Sequence, residues 1–345
     1  LLSNFDLTSL KAVVLTVDGE VLTKEEERLF KEYKPAGFIL FKRHCVSKSQ
    51  VKELVSSLRE VVGCQSLPIL IDQEGGDISR LKSPEWSEYP SARSYGNLAE
   101  VSIEDACNAA YTNYKHMAGE LKEIGVNVNC APVVDVPSPN CHKFLSGSRT
   151  YGDNADVIAK LGEAVCEGLL SQNVTPIMKH IPGHGRAEAD SHFALPVVNA
   201  SFEELKNSDF KTFRSIAKSK FGSAVWAMSA HVLYSAIDKE NPATFSKKIV
   251  DEIIRGEIGF DGVLLADCLS MKALGGTVKE KIERSMVAGM DLAMLTNSLL
   301  DDGKVTCVSL SDREVALKTV ANISAETARR MQVAEKQRIE YKVEK

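Results

Sequence analysis

The chain lacks any apolar run approaching the roughly 18 residues that a membrane-spanning helix needs. Its opening residues, Leu1-Leu2-Ser3-Asn4-Phe5-Asp6, lack the basic and apolar regions of a secretory signal. No membrane partner is expected, and the expected location is cytoplasmic. A stripe of positive charge is also missing. The 42 Lys and Arg are mixed with 47 Asp and Glu for a net charge of −5, so no face is built to neutralise a phosphate backbone, and nucleic acid is not an expected partner. The 8 cysteines (Cys45, Cys64, Cys107, Cys130, Cys141, Cys166, Cys268 and Cys307) include no pair at the two-residue spacing of a zinc site. Several sit among apolar residues, as Cys166 does between Ala164-Val165 and Leu169-Leu170. Free buried thiols in a reducing compartment are therefore expected. The glycines of Gly75-Gly76 and Gly183-His184-Gly185 match neither a dinucleotide nor a phosphate-loop fingerprint and are read as tight turns beside a ligand. With no linker or low-complexity stretch to divide it, the chain reads as one domain over 1–345, ending in a polar tail over 336–345; a monomer is the expected state, though nothing in the sequence fixes it.

What the chain has is an alternation. At 345 residues and 44% hydrophobic it can bury a large core. Short β-rich runs alternate with longer amphipathic ones, the sequence form of repeated βα units around a parallel sheet. The expected strands are Ala12–Thr16, Gly37–Phe41, Ile69–Asp72, Val126–Ala131, Thr175–Lys179, Ala224–Met228, Val263–Asp267 and Leu292–Leu295. Helical patterns lie between them at Ile103–Ile124, Asp156–Ser171, Lys247–Glu257 and Val278–Ala288, with a final helix over Asp312–Gln337. Gly63, Gly125 and Gly259 each close a helix before the next strand. Eight such units predict an α/β fold, a (β/α)8 TIM-type barrel. The stretches from Glu74 to Ser102 and from Pro132 to Asp153 are long for barrel loops, and long loops in this setting carry function.

Barrel active sites form at the C-terminal ends of the strands, and the polar residues fall there. They are Asp72-Gln73-Glu74, Lys179-His180, Ser229 with His231, and Asp267. The densest segment is Lys179-His180-Ile181-Pro182-Gly183-His184-Gly185 followed by Asp190-Ser191-His192. Asp267 is a fixed carboxylate at a strand tip, suited to a nucleophile or a charge stabiliser. If Asp190-Ser191-His192 is extended, its first and third side chains face the same way, and the carboxylate raises the imidazole's pKa and fixes its tautomer. A rival reading makes His180, His184, Asp190 and His192 zinc ligands of a barrel hydrolase. Against it, Pro182 and Gly183 interrupt the helix that a histidine pair four residues apart requires. A third reading is a sugar-binding barrel without catalysis.

These residues resemble the single-domain β-N-acetylglucosaminidases of glycoside hydrolase family 3. The similarity runs through Ile71-Asp72-Gln73-Glu74-Gly75-Gly76 with Arg80, Gly147-Ser148-Arg149-Thr150-Tyr151, the Lys179–His192 stretch, Met228-Ser229-Ala230-His231, Pro242-Ala243-Thr244-Phe245-Ser246, Gly259-Phe260-Asp261-Gly262-Val263 and Asp267-Cys268-Leu269-Ser270-Met271. The resemblance implies a retaining, double-displacement cleavage of terminal β-linked N-acetylglucosamine, with peptidoglycan-derived muropeptides as substrate. By the same resemblance Asp267 is the nucleophile, His192 the acid/base oriented by Asp190, and Asp72, Arg80, Arg149, Lys179 and His180 contact the sugar. No cofactor and no metal are implied. The chain departs from the family pattern at Asp77, Cys268 and Arg186-Ala187-Glu188-Ala189.

Overall fold

A computed structural model describes residues 2–299 and 305–341. Eight parallel strands form one sheet: β1 (Lys11–Leu15), β2 (Pro35–Leu40), β3 (Ile69–Ile71), β4 (Val128–Asn129), β5 (Thr175–Ile181), β6 (Trp226–Ser229), β7 (Leu264–Leu265) and β8 (Ala293–Leu295). Each pairs with its neighbour in chain order, and β8 returns to β1 through Val13 opposite Ala293. Between β7 and β8 the seam is narrow. It includes the bridge from Leu265 to Leu292, the bond from the Ala266 N–H to the Leu292 carbonyl at 2.9 Å, and those from the Asp291 and Leu292 N–H groups to the Leu264 carbonyl at 2.9 and 3.2 Å. The expected barrel is thus present and nearly closed.

The strands follow from their sequences. Every residue of β2 and β5 is buried, as happens when interior side chains cover one face of a parallel sheet and helices the other. The surrounding helices are α1 (Lys24–Tyr33), α2 (Lys48–Val62), α3 (Ile103–Glu123), α4 (Ala155–Leu170), α5 (Asp209–Lys218), α6 (Ile249–Glu257), α7 (Val278–Ala288), α8 (Leu310–Thr319) and α9 (Ala325–Glu340). Thr23 with Glu26 opens α1, and Thr277 with Glu280 opens α7, as reciprocal capping boxes. Gly63, Gly125 and Gly259 take the positive φ their positions demand. The α6 segment is wound with the wider i→i+5 bonding of a π helix, which the apolar period does not announce.

Two expectations change. The strand expected at Val126–Ala131 shrinks at both ends to Val128–Asn129, and that at Val263–Asp267 to Leu264–Leu265, although Cys130 and Ala266 still donate to the Ile71 and Leu292 carbonyls. The single final helix is two. After Thr319 the chain extends so that Asn322 bridges Lys11 and Ala321 accepts from the Ala12 N–H at 3.0 Å, and Ser324 then caps α9. A contact with β1 breaks a helical pattern that is locally continuous. Residues 336–340 belong to α9, Tyr341 donates to Glu167 Oε1 at 2.8 Å, and 342–345 lie outside the described residues. Cys45, Cys107 and Cys307 are half-buried thiols, and Cys64, Cys130, Cys166 and Cys268 are buried ones. Among the described residues no helix is long and apolar enough to cross a membrane.

Candidate active site

The C-terminal strand ends surround a cavity of about 530 Å3 whose lining includes Asp72, Glu74, Arg80, Arg149, Lys179, His180, His184, His192 and Asp267. Both long loops shape it. The first carries the hairpin Gln73–Gly75 against Ile78–Ser79 and the helix Ala92–Ala99. The second carries Asp135 and Arg149.

The floor is a network of charges. Lys179, on β5, places Nζ 3.0 Å from Asp72 Oδ1 and 2.6 Å from Glu74 Oε1. Arg80 meets the other oxygen of Asp72 at 3.0 Å, and Arg149 grips Glu74 through Nε at 2.9 Å and a terminal nitrogen at 2.7 Å. Burial alone would push both carboxyls up. The cations Lys179 and Arg80 outweigh it at Asp72, and Arg149 and Lys179 do so at Glu74, holding both well below the usual carboxylate range. Burial likewise pulls Lys179 down, but Asp72 and Glu74 hold it above its ordinary value. Every floor group therefore stays charged, presenting fixed donors and acceptors to a polyhydroxylated ligand.

His180 is oriented from behind. Fully buried Asp135 lies 2.7 Å from its Nδ1 and accepts the backbone N–H groups of His180 at 3.2 Å and His184 at 2.6 Å. Burial raises the Asp135 carboxyl, and His180 with the other donors outweighs this and lowers it. An ionised Asp135 can only accept, so Nδ1 of His180 donates and Nε2 is left for the cavity. His184 stacks edge-on against His180 with ring centroids 5.6 Å apart, and burial pushes it down to about 4. It stays neutral, with Nε2 3.2 Å from Ser191 Oγ.

The dyad forms, but not by extension. Asp190-Ser191-His192 is a turn in which Asp190 Oδ1 accepts the His192 backbone N–H at 2.9 Å and lies 2.7 Å from Nδ1 of the same residue. Phe193 closes the turn through its N–H to the Asp190 carbonyl at 3.0 Å. An Asx-type bond brings the two side chains together, where alternation along a strand was expected. Burial lowers the His192 pKa, but the Asp190 bond and charge and then the charge of Asp267 outweigh it and hold the imidazole above its ordinary value. The loop leans onto the segment after β7, with Lys272 N–H donating to the His192 carbonyl at 3.3 Å and Ala273 N–H to that of Ser191 at 3.2 Å.

Asp267 follows β7, and its Oδ1 accepts the Cys268 N–H at 2.7 Å. Burial raises its carboxyl. The imidazoles of His231 and His180, the Cys268 bond and His192 together hold it below the usual carboxylate range, so an anion faces the cavity. Buried His231 holds the Cys268 carbonyl through Nε2 at 3.1 Å and Thr244 Oγ1 through Nδ1 at 2.7 Å. All eight residues singled out from the sequence converge here except Asp190, which acts from behind His192.

Glu74 and Asp135 are the site residues the sequence reading did not single out. Glu74 stands with Asp72 among the polar residues at a strand end but had no role of its own there, and Asp135 ends the apolar run Ala131-Pro132-Val133-Val134 in one of the long loops, which was the available signal. The departure at Asp77 lies outside the cavity lining, where Ser148 Oγ donates to it at 2.6 Å, and Cys268 is buried against Thr296 Oγ1 at 2.9 Å. The zinc arrangement is not assembled. The histidines are committed to Asp135, Ser191 and Asp190, and among the described residues no group of three or more His, Cys, Asp or Glu side chains could hold a metal.

An anionic aspartate and a carboxylate-backed imidazole open on one cavity at the mouth of a barrel, an arrangement that fits a hydrolase of glycosidic bonds. The sequence profile of the glycosyl hydrolase family 3 N terminal domain matches residues 7–330, and the chain belongs to that family. It is 34% identical over 305 residues to a beta-hexosaminidase of Psychromonas ingrahamii, covering 86% of this chain and 87% of the relative. Its fold superposes with a TM-score of 0.82 at 28% identity on NagZ of Neisseria gonorrhoeae in complex with N-trifluoroacetyl-D-glucosamine, covering 94% of this chain and 90% of that one. A family 3 beta-N-acetylglucosaminidase from Paenibacillus superposes with a TM-score of 0.83 at 28% identity over 98% of this chain, which spans 64% of that longer protein.

Proposed function

We propose that the chain is a retaining exo-β-N-acetylglucosaminidase. It removes terminal β-linked N-acetylglucosamine as a cytoplasmic monomer, with peptidoglycan-derived muropeptides as natural substrates. The carrying observation is that Asp267 and the Asp190–His192 dyad open on one cavity above a floor of permanently charged groups. In this reading the Asp267 carboxylate attacks the anomeric carbon while Nε2–H of His192 protonates the departing oxygen, giving a glycosyl-enzyme and a free aglycone. His192, now neutral, takes a proton from water, which attacks the anomeric carbon and returns Asp267 as a carboxylate. Asp72, Arg80, Arg149, Lys179 and His180 would hold the hydroxyl and acetamide groups, with Glu74 and Asp135 fixing them.

A histidine acid suits this cavity electrostatically. On giving up its proton it loses a positive charge, whereas a carboxylic acid would become a second anion close to the nucleophile. The test is turnover of an aryl β-N-acetylglucosaminide, with trapping by a fluorosugar and peptide mapping. Asp267→Ala is expected to abolish turnover and labelling, and the label is expected on Asp267. Full turnover in that variant, or a label elsewhere, would sink the assignment.

A further inference from the structure

The loop carrying the dyad is fastened at several points. Beyond His192 it pairs through Val197–Val198 with Leu233–Tyr234, and its middle bonds to Lys272 and Ala273. Its root has a fastening of another kind. Arg186 Nε donates to Asp209 Oδ2 at 2.7 Å, with a quarter of the Arg186 side chain exposed and none of that of Asp209. Asp209 is the first residue of α5 and lies under the turn that starts the loop. A Cβ on Gly183 would come within 2.9 Å of the Asp209 Cβ, and Tyr234 pins the Gly183 carbonyl through its hydroxyl at 2.6 Å. Asp209 thus bonds the loop at the Arg186 guanidinium and stands so near Gly183 that no larger side chain fits there.

A buried carboxylate is an expensive way to pack a loop. The second oxygen of Asp209 has no partner, and burial pushes the carboxyl up to about 6 in spite of Arg186. A neutral side chain would fill the same space at lower cost. What charge adds is direction, because it draws a long side chain to one point and so fixes the backbone that bears it. Arg186 stands four residues before Asp190 in the sequence, so a shift at the root is carried to the dyad.

We infer that Arg186 and Asp209 are a positioning pair whose contact holds the root of this loop so that His192 meets the departing oxygen. This rests on reading His192 as the acid. Neither residue lines the cavity, so both act through His192. Proton donation depends on placement to within about an ångström, and its value rises as the leaving group worsens. The pair should therefore matter for a poor leaving group and hardly at all for one that departs unaided.

The test is kcat/KM, which reports steps up to the glycosyl-enzyme, on phenyl and dinitrophenyl β-N-acetylglucosaminides. Native protein is compared with Arg186→Gln, Asp209→Asn, Arg186→Lys and His192→Ala, with thermal melting beside each. Arg186→Gln and Asp209→Asn are expected to lose about ten-fold on the phenyl substrate and less than about two-fold on the dinitrophenyl one, with Arg186→Lys recovering most of the loss. Arg214→Gln, which breaks the 2.7 Å pair with Glu257 away from the cavity, is expected to change neither ratio. Parallel losses on both substrates, no loss on either, or equal effects of the lysine and glutamine variants would overturn the inference. If His192→Ala itself shows no leaving-group dependence, the acid assignment falls first and the inference with it, by a distinguishable signature.

Discussion

At the floor of the cavity, Lys179 keeps 3% of its side chain exposed and touches two carboxylates, each of which holds a second cation. In the arm above, His192 keeps 43% of its side chain exposed and is steadied through Asp190, two residues away. The floor is drawn from distant parts of the chain and is locked into the barrel. The arm is a local turn laid against the segment after β7. A group that only has to recognise the substrate gains from rigid burial, because its charges are already desolvated and oriented when the ligand arrives. A group that must give up and regain a proton has to keep a tunable pKa and a path to water.

The comparison breaks most severely at Lys179. Lys179→Met would leave Asp72 and Glu74 close together with one cation removed from between them, and stability is expected to fall by about 3–5 kcal/mol, as when one partner of a buried ion pair is taken away. Chemical denaturation should show it, with hydrolysis lost at temperatures where the native protein is folded. A melting temperature unchanged by the substitution would mean that the floor is not the rigid element described. His192→Ala makes the opposite prediction. The half-exposed ring should cost no more than about 0.5 kcal/mol of stability, while turnover of substrates with poor leaving groups falls by about 10²–10⁴-fold. Fold and rate should thus separate in the arm and fail together in the floor.

The same division explains what the sequence made legible. Strand positions and helix ends are local properties: β-branched apolar runs, capping residues and glycines at positive φ announce them, and all eight barrel strands stand where those signals lie. The break between α8 and α9 is not local, since it exists to let Asn322 meet Lys11 on the other side of the chain. The arm was legible as residues because Asp190 and His192 are two apart, although their geometry was not, because an Asx turn and an extended strand both bring such a pair together. The floor was legible only as a set of charged strand ends. Lys179 and Asp72 are 107 residues apart, Arg149 and Glu74 are 75 apart, and His180 and Asp135 are 45 apart. Nothing in a linear pattern says that Glu74 belongs to Arg149 or that Asp135 stands behind His180. Closure of the barrel makes those pairs.

The finest test of the contrast lies in Asp190. In Asp190→Asn the amide oxygen can still accept from Nδ1 of His192, so the ring keeps its place while the charge that raises its pKa is gone. Burial, which pulls the imidazole down, is then less opposed, and the His192 pKa is expected to fall from its raised value toward or below its ordinary one. Protonated His192 is the form that starts the reaction, so kcat/KM is lost as pH rises through that pKa. The alkaline limb of the profile should accordingly move to lower pH. The acid limb belongs to Asp267, which must be ionised and whose depression comes chiefly from His231 and His180; it should stay where it is. Measured from acid to alkaline pH, the native profile should be the broader of the two, with rates near their common acid side differing little. An alkaline limb that does not move would show that Asp190 only holds the turn together, and the arm would then differ from the floor in exposure alone.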